Sequence, residues 1–526
     1  MPGLTSPPSP AGDTAALRAA LTASDYTVDG VEDLLGDLAS AALRREQTVP
    51  ARRVLTARSG DPRATLAALF VLGGQQSRAA VDGALPGVGT AGAEALGLVR
   101  SAGHDDGDPV RAVVDLRPYA ATDAGGPVQW WLASDLGELA TSRRLAADHV
   151  LGAGGASTTL AQVTVRDRVG RVLDLGTGCG IQALHAARHA DAVVGTDISR
   201  RALDFARFNV ALNAAAADVE LREGSMLDPV AGERFDLVVS NPPFVITPRG
   251  GAAGAAVASV LGEFEYRDGG RAADDLVRDL ITGVGQVLAP GGVAQMLVNW
   301  EHRRGEPWTD RVGAWLDASG LDGWVIEREL LDPAEYAETW IRDGGTTPER
   351  EPDAWEAAYG AWLDDFAARD VEAVGFGFVT LRRPSDGGTP DGRLRRLEEH
   401  HGTLRQPLGA HLAASLAAHE WLAARDDAAL ATERLVVAGD VTEERYLTPG
   451  AADPNVVIVR QGDGLGRGIQ ASTGLAAFVG VCDGELTVAQ IMGALAALLD
   501  VGADDLAAEL LPAVRGLVRD GFLAPA

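Results

Sequence analysis

The stretch Val172-Leu173-Asp174-Leu175-Gly176-Thr177-Gly178-Cys179-Gly180 leaves a chain few ways to fold. An apolar run of strand length passes directly into Gly-x-Gly-x-Gly, and a helical pattern begins at Ile181. Glycines there let the backbone turn sharply and approach a ligand, and the helix N-terminus presents unpaired N–H groups. From Arg171 onward the same alternation recurs, with apolar runs at Arg171 to Leu175, Ala192 to Thr196, Val219 to Arg222, Phe235 to Ser240, Val293 to Asn299, Trp324 to Leu330 and Gly375 to Leu381. Continuous apolar runs separated by helical patterns are what parallel strands buried on both faces require. A doubly wound, Rossmann-like α/β sheet of seven strands is expected.

At 526 residues the chain exceeds what one hydrophobic core supports, so smaller domains should flank this sheet. The pattern divides into a disordered lead over 1–16, a helical, winged-helix-like domain over 17–145, the sheet domain over 146–384 and a mainly helical domain over 385–526. Gln129 to Leu132 and the turn at Ser134-Asp135 lead into a helix expected to end near Leu151, followed by a flexible Gly152-Ala153-Gly154-Gly155-Ala156. Leu412 to Ala424 and Ala489 to Leu499 read as amphipathic helices, and the segment from Leu475 to Leu523 as a second winged-helix-like module. The polar stretch Ser385 to Arg393 marks the boundary between the last two domains.

Spacing then narrows the chemistry. The second strand ends in Gly195-Thr196-Asp197, which places a carboxylate where it can accept both ribose hydroxyl protons of a nucleoside. A dinucleotide enzyme would carry the same pair of features. It has no need of Asn241-Pro242-Pro243-Phe244 directly after the fourth strand, facing the glycine loop across the topological switch point where open α/β sheets bind ligands.

With these motifs, residues from about Leu151 to Pro384 resemble the class I S-adenosylmethionine-dependent methyltransferases that bear an Asn-Pro-Pro-aromatic motif. That group includes release-factor glutamine N5-methyltransferases and the amino-methyltransferases of rRNA and DNA. The resemblance implies S-adenosylmethionine as cofactor, with Asp174 and Gly176 near its amino-acid end, Gly178 and Gly180 in the tight loop, Asp197 at its ribose and Ser225 near its adenine. Relatives often carry an acidic residue at the position of Ser225, and Asp228 is the nearest substitute. For catalysis it implies that the Asn241 side-chain oxygen and the Pro242 carbonyl accept the hydrogens of a planar NH2 group, while Phe244 stacks on that group. No metal is implied.

The acceptor class stays open at this stage. Tyr266-Arg267-Asp268-Gly269-Gly270 ahead of a helix near Leu276 is similar to the segment that release-factor enzymes place after this motif, which favours a protein glutamine. A formal charge of -28 repels phosphate backbones and points the same way. An exocyclic amine of rRNA, tRNA or DNA is the alternative, as is a small-molecule amine, and a cofactor-binding scaffold without turnover would leave Asn241-Pro242-Pro243-Phe244 without a purpose. The acceptor is expected to be macromolecular. The chain contains no lysine, and Arg44, Arg45, Arg52, Arg53, Arg58 and Arg63 form its most basic neighbourhood, read as a solvated face or a docking surface.

Cys179 and Cys482 are too far apart in sequence to suggest a disulfide framework, and the absence of a leader pattern or an apolar run of membrane-spanning length points to a soluble, cytoplasmic protein. His400, His401, His411 and His419 read as solvated rather than metal-binding. Trp355, Tyr359, Trp362 and Phe366 recur at helical spacing and read as core or lid packing.

Overall fold

The computed structural model describes residues 6–526 apart from 11, 142–144, 250–253, 256, 259, 261–268 and 386–391. The chain divides into two compact units, residues 1–161 with 168–399 and residues 162–167 with 400–526. The expected boundary at 384 therefore lies inside the first unit.

The reason is an additional strand. All seven expected strands form, as β1 (Val169–Leu175), β2 (Ala190–Asp197), β3 (Asp218–Glu223), β4 (Phe235–Ser240), β5 (Leu288–Arg303), β6 (Asp322–Leu331) and β7 (Val371–Arg382). Beyond them β8 (Arg395–Glu399) joins the edge, so the sheet has eight strands in the order β8-β6-β7-β5-β4-β1-β2-β3 rather than seven. β8 runs parallel to β6, while β7 lies antiparallel between β5 and β6. Its sequence, Arg-Arg-Leu-Glu-Glu, carries one apolar side chain. An edge strand needs a single row of backbone hydrogen bonds and no doubly buried face, and charge on an edge discourages further pairing.

Helices α1 (Ile181–Ala186), α2 (Arg200–Leu212), α3 (Asp275–Gly283) and α4 (Trp308–Ser319) accompany the strands. Ser199 caps α2 by accepting the Ala202 N–H, and Leu203, Ala206 and Phe208 are among the side chains it buries. A further pair, α5 (Pro333–Asp343) and α6 (Pro352–Ala368), is inserted between β6 and β7. Asp332 starts α5 by accepting the Ala334 and Glu335 N–H groups, and Pro333 occupies its first turn, where a missing N–H costs nothing.

Residues 14–134 belong to the same unit as this sheet. They form the helices Thr14–Ala23, Val28–Leu43 and Thr48–Ala57, shorter helices, a small sheet of Gln76–Ser77, Pro109–Ala112 and Val99–Ser101, and a hairpin of Asp115–Asp123 with Gly126–Ser134. The first helix begins at Thr14, inside the stretch read as a lead. One hydrophobic core runs from Leu17, Tyr26 and Phe70 through Leu116 and Trp131 to Ile181, Leu184, Phe205 and Phe208. The division expected at 145 thus cuts across a shared core. Of the helix expected to end near Leu151, the described residues form only the short helix Glu138–Thr141; residues 145–154 are irregular, and the next helix starts at Gly155.

The second unit has its own core, centred on Phe478, Val488, Ile491, Leu510, Val514 and Phe522. Helices Gly409–Ala423 and Val488–Leu499 occupy the positions expected of them. The unit is less purely helical than its pattern suggests, for it contains two three-stranded sheets: Asp483–Thr487, Arg434–Val437 and Leu523–Pro525 in one, Val441–Tyr446, Val456–Gln461 and Gly468–Ala471 in the other. The β-branched run Val456 to Val459 is the strand signal that the overall helical composition obscures.

Asn209 joins the hairpin to the sheet. It is fully buried on α2, its oxygen accepts the Ala133 N–H at 2.7 Å, and its amide nitrogen donates to the carbonyls of Ala133 and Cys179 at 2.9 and 2.8 Å. Asn209→Ala would strand these backbone groups away from water at roughly 1–3 kcal/mol each. We expect it to lower unfolding stability by about 3 kcal/mol or more in urea titration, against less than about 1 kcal/mol for Asp204→Ala on the exposed side of the same helix.

Candidate functional site

Parallel pairing sets the ends of three strands level. Leu175 of β1 lies beside Thr196 of β2 and Ser240 of β4, so Gly176, Asp197 and Asn241 emerge side by side one residue later. Ser240 reinforces this by donating its hydroxyl to the Leu175 carbonyl at 2.8 Å. On the outer side Asp197 pairs with Glu223, bringing Gly224 and Ser225 to the same edge. These residues open onto a cavity of about 580 Å³.

The glycine loop has the geometry its composition suggests. Gly176, Gly178 and Gly180 all have positive φ, at 74°, 54° and 87°. At Gly180 a Cβ would in addition come within 3.0 Å of the Ala206 Cβ on α2. Such conformations cost a side-chain-bearing residue roughly 1–3 kcal/mol. The loop is fastened to β2: the Gly176 and Thr177 amides donate to the Thr196 carbonyl at 2.9 and 2.8 Å, and the Gly178 amide donates to Asp197 Oδ2 at 2.9 Å. Asp197 Oδ1 accepts the Ser199 N–H at 2.9 Å.

Asp174 is buried one turn behind, accepting the Thr177 hydroxyl at 2.6 Å. Burial pushes its carboxyl up to about 7, opposed by that hydrogen bond and by the Ala183 amide and assisted by the charge of Asp197. A cation bound in the cavity would draw the proton off. Cys179 also lines the cavity, but burial pushes its thiol up to about 12, which removes it as a nucleophile at neutral pH.

Of the residues singled out from sequence, Asp174, Gly176, Gly178, Asp197, Ser225 and Asn241 line this one cavity. Gly180 shapes the turn from behind. Pro242 is buried and only its neighbour Pro243 contributes to the lining, with the Pro243 carbonyl accepting the Gly269 N–H at 3.1 Å. Phe244 does not line the cavity. Its ring stands edge-on to Trp340 and Phe376, with centroids 6.4 and 6.2 Å away, so the stacking surface expected of it is engaged in an aromatic cluster. Asp228 opens a short 3-10 helix outside the lining, which leaves Ser225 and Met226 at that end. Gly269 and Gly270 do line the cavity, whereas Tyr266, Arg267 and Asp268 lie outside the described residues.

Asn241 has an unusual environment: its Oδ1 is buried and has no hydrogen-bond partner among the described residues. The Gln182 Oε1 atom on α1 shares that condition, while its amide nitrogen donates to the Ser157 carbonyl at 2.7 Å.

Another wall is the segment from His149 to Ser157, irregular up to Gly154 and helical from Gly155, whose first residues sequence patterning had assigned to a helix. Asp135 holds it in place, exchanging backbone bonds with Val150: the Asp135 amide donates to the Val150 carbonyl at 3.1 Å and Asp135 Oδ2 accepts the Val150 N–H at 2.9 Å. Arg201 on α2 grips the same carboxylate through Nε at 2.9 Å and through Nη2. Only Ser134-Asp135, read as a turn, hinted at this anchor. Gln182 and the anchored segment were missed because neither belongs to a local motif.

Comparison with known proteins agrees with this geometry. Residues 153–259 match the family described as the methyltransferase small domain, and residues 23–113 and 413–525 match two domains of unknown function, DUF7059 and DUF7782. The ribosomal protein uL3 glutamine methyltransferase of Bradyrhizobium diazoefficiens is 31% identical over 203 residues, which cover 38% of this chain and 60% of that protein. Release factor glutamine methyltransferases of Geobacter sulfurreducens and Deinococcus radiodurans are 38% and 40% identical, each over 23% of this chain and over 42% and 43% of their own lengths. The chain thus spans at most about three-fifths of these relatives. The sheet and its antiparallel β7 constitute the class I methyltransferase fold, with additional regions on either side.

The raised carboxyl of Asp174 has a consequence for stability. Between about pH 4, where the unfolded chain releases this proton, and about 7, where the folded chain does, the folded state binds more protons, so stability falls as pH rises through that window. Asp174→Asn removes the titration. In thermal melts of the ligand-free protein, wild type should lose on the order of 1–4 kcal/mol between pH 5 and 8 relative to Asp174→Asn.

Proposed function

We propose that this chain is an S-adenosylmethionine-dependent methyltransferase whose acceptor is the side-chain amide nitrogen of a glutamine in a protein. The observation that carries the reading is the buried Asn241 side-chain oxygen at the cavity wall, which has no hydrogen-bond partner among the described residues. A buried carbonyl oxygen without a donor costs roughly 1–3 kcal/mol, and a planar NH2 group provides the missing donor.

The cavity fits the cofactor. Asp174 and Asp197 place two carboxylates in it, suited to a cationic ligand, and Asp197 stands beside a loop tight enough for close backbone approach. Gly176 and Asp174 would lie at the amino-acid end, Gly178 and Gly180 would form the turn, and Ser225 with Met226 would border the adenine. When bound, the cofactor supplies a methyl group made electrophilic by its sulfonium.

The remaining tasks fall to the chain. The Asn241 oxygen accepts an N–H hydrogen of the acceptor, which orients the nitrogen and favours the positive charge that develops on it. The nitrogen lone pair forms the new bond to carbon, the carbon–sulfur pair remains with sulfur, and one N–H proton passes to solvent. Phe244 acts through packing: locked against Trp340 and Phe376, it holds the Asn-Pro-Pro turn rigid.

A protein acceptor is favoured over a nucleobase by the similarity of part of this chain to glutamine methyltransferases and by the net charge of -28, which opposes nucleic-acid approach. Such acceptors belong to the cytoplasm, which is the setting the reading implies. Among the described residues no helix is long and apolar enough to cross a membrane.

The test is transfer of radiolabel from S-adenosylmethionine into cell extract, followed by separate nuclease and protease digestion. Label that requires wild-type protein, survives nuclease and disappears with protease supports a protein acceptor; the reverse pattern transfers the reading to a nucleobase. Asn241→Ala should reduce transfer by about 100-fold or more while the cofactor Kd measured by calorimetry changes by less than about threefold. Asp197→Ala should show the opposite division, with a Kd weakened by about tenfold or more.

A further inference from the structure

The segment leaving the Asn-Pro-Pro turn is held by side chains from distant parts of the sequence. Ile246, two residues beyond Phe244, is fully buried, and both of its backbone hydrogen-bonding groups go to the inserted helix pair. Its N–H donates to the Tyr336 hydroxyl oxygen on α5 at 2.8 Å, and its carbonyl accepts the Trp362 indole N–H on α6 at 3.0 Å. Tyr336 in turn accepts the Asn299 amide from the end of β5 at 2.9 Å. Tyr336 and Trp362 are themselves completely buried. Val245, Ile246, Tyr336, Ile341, Trp362 and Phe366 share one hydrophobic core.

This arrangement is stronger than the fold alone demands. A loop leaving a strand normally satisfies its backbone groups with water or with neighbouring backbone. Here a hydroxyl and an indole, each able to form its bond from only one position, fix a single residue from both sides. Asn241 is on the same short segment, five residues upstream, and two prolines between them stiffen the connection. The Pro243 carbonyl, bonded to the Gly269 amide, and the Phe244 ring, held between Trp340 and Phe376, complete the restraint.

We infer that the α5–α6 insertion is a clamp on the acceptor-binding turn, in which Tyr336 and Trp362 are positioning residues that set the Asn241 oxygen at the working distance from the acceptor nitrogen. The inference rests on the methyltransferase reading for its consequence but not for its geometry. Group transfer is sensitive to alignment, since a displacement of about 1 Å at the reacting centre can cost roughly 100-fold in rate. The residues proposed to hold the cofactor, Asp174, Gly176, Gly178, Asp197 and Ser225, belong to β1, β2 and the loops that follow β1 and β3, not to the clamped segment. Loosening the clamp should therefore lower turnover without weakening the cofactor.

Tyr336→Phe and Trp362→Phe remove the two bonds while keeping an aromatic ring at each position. Two measurements separate the clamp from the reaction. Hydrogen exchange followed by mass spectrometry on the ligand-free protein should show faster exchange in a peptide covering residues 242–249 for Tyr336→Phe, with the β1 and β2 peptides unchanged. In nuclease-treated extract at saturating radiolabelled cofactor, each variant should label protein about ten- to 100-fold more slowly than wild type, with calorimetric cofactor Kd within about twofold. Unchanged exchange in the 242–249 peptide overturns the clamp. Normal labelling by both variants despite faster exchange overturns its role in positioning. If wild type itself labels nothing, the protein-acceptor reading fails, and the exchange result still decides whether Tyr336 holds the turn. A parallel fall in cofactor affinity and labelling would indicate general loss of structure and also count against the inference.

Discussion

Leu175 lies between Thr196 and Ser240 in the central sheet, and the geometry of the cavity follows from that register. Successive strand residues point to opposite faces, so a slip of one residue between β1 and β2 would turn Asp197 away from the Gly178 amide. Packing on both faces opposes such a slip: Val172, Leu173, Leu175, Val193, Val194, Val238 and Val239 are all buried. A small set of close contacts then converts register into a binding site. The Gly178–Asp197 bond orients the glycine loop against β2, and the Ser240–Leu175 bond keeps β4 level with β1.

Much of this was legible from the sequence because its causes are local. Strands buried on both faces must be apolar throughout, so β1, β2, β4, β5 and β7 stand out as runs against their polar surroundings. Asp197 and Asn241 are recognisable because each follows directly on such a run. β8 had no equivalent signal. Its five residues include four charged ones, and only pairing with β6 makes them a strand. Phe244 shows a different limit. Its position after the prolines was evident, but its neighbours Trp340 and Phe376 come from segments roughly a hundred residues later, so whether the ring faces ligand or protein is decided by contacts that no sequence motif records.

The wall formed by residues 149–157 illustrates the same point from the opposite direction. Its glycines suggested freedom, and Gly152, Gly154 and Gly155 do permit an irregular path. That path is nevertheless fixed by Asp135, whose carboxylate is nearly inaccessible and shared between Val150 and Arg201. A buried ion pair of this kind is poor evidence for net stability, since desolvation offsets much of the attraction. Its better-supported effect is on conformation: removing either charge would leave the other uncompensated, so the segment is restricted to one arrangement. A composition rich in small residues described the flexibility available to the chain, and the ion pair determined how little of it is used.

The core that passes without interruption from Leu17 and Tyr26 to Phe205 and Phe208 affects how this chain can change in descent. Recombination preserves function when a joint falls between bodies that fold on their own. A joint placed among residues 135–168 would instead divide one apolar interior, exposing Trp131 and Leu116 on one side and Ile181 and Leu184 on the other. Substitutions at the junction of the amino-terminal helices and the sheet must therefore be matched across it, because each side supplies part of the same interior.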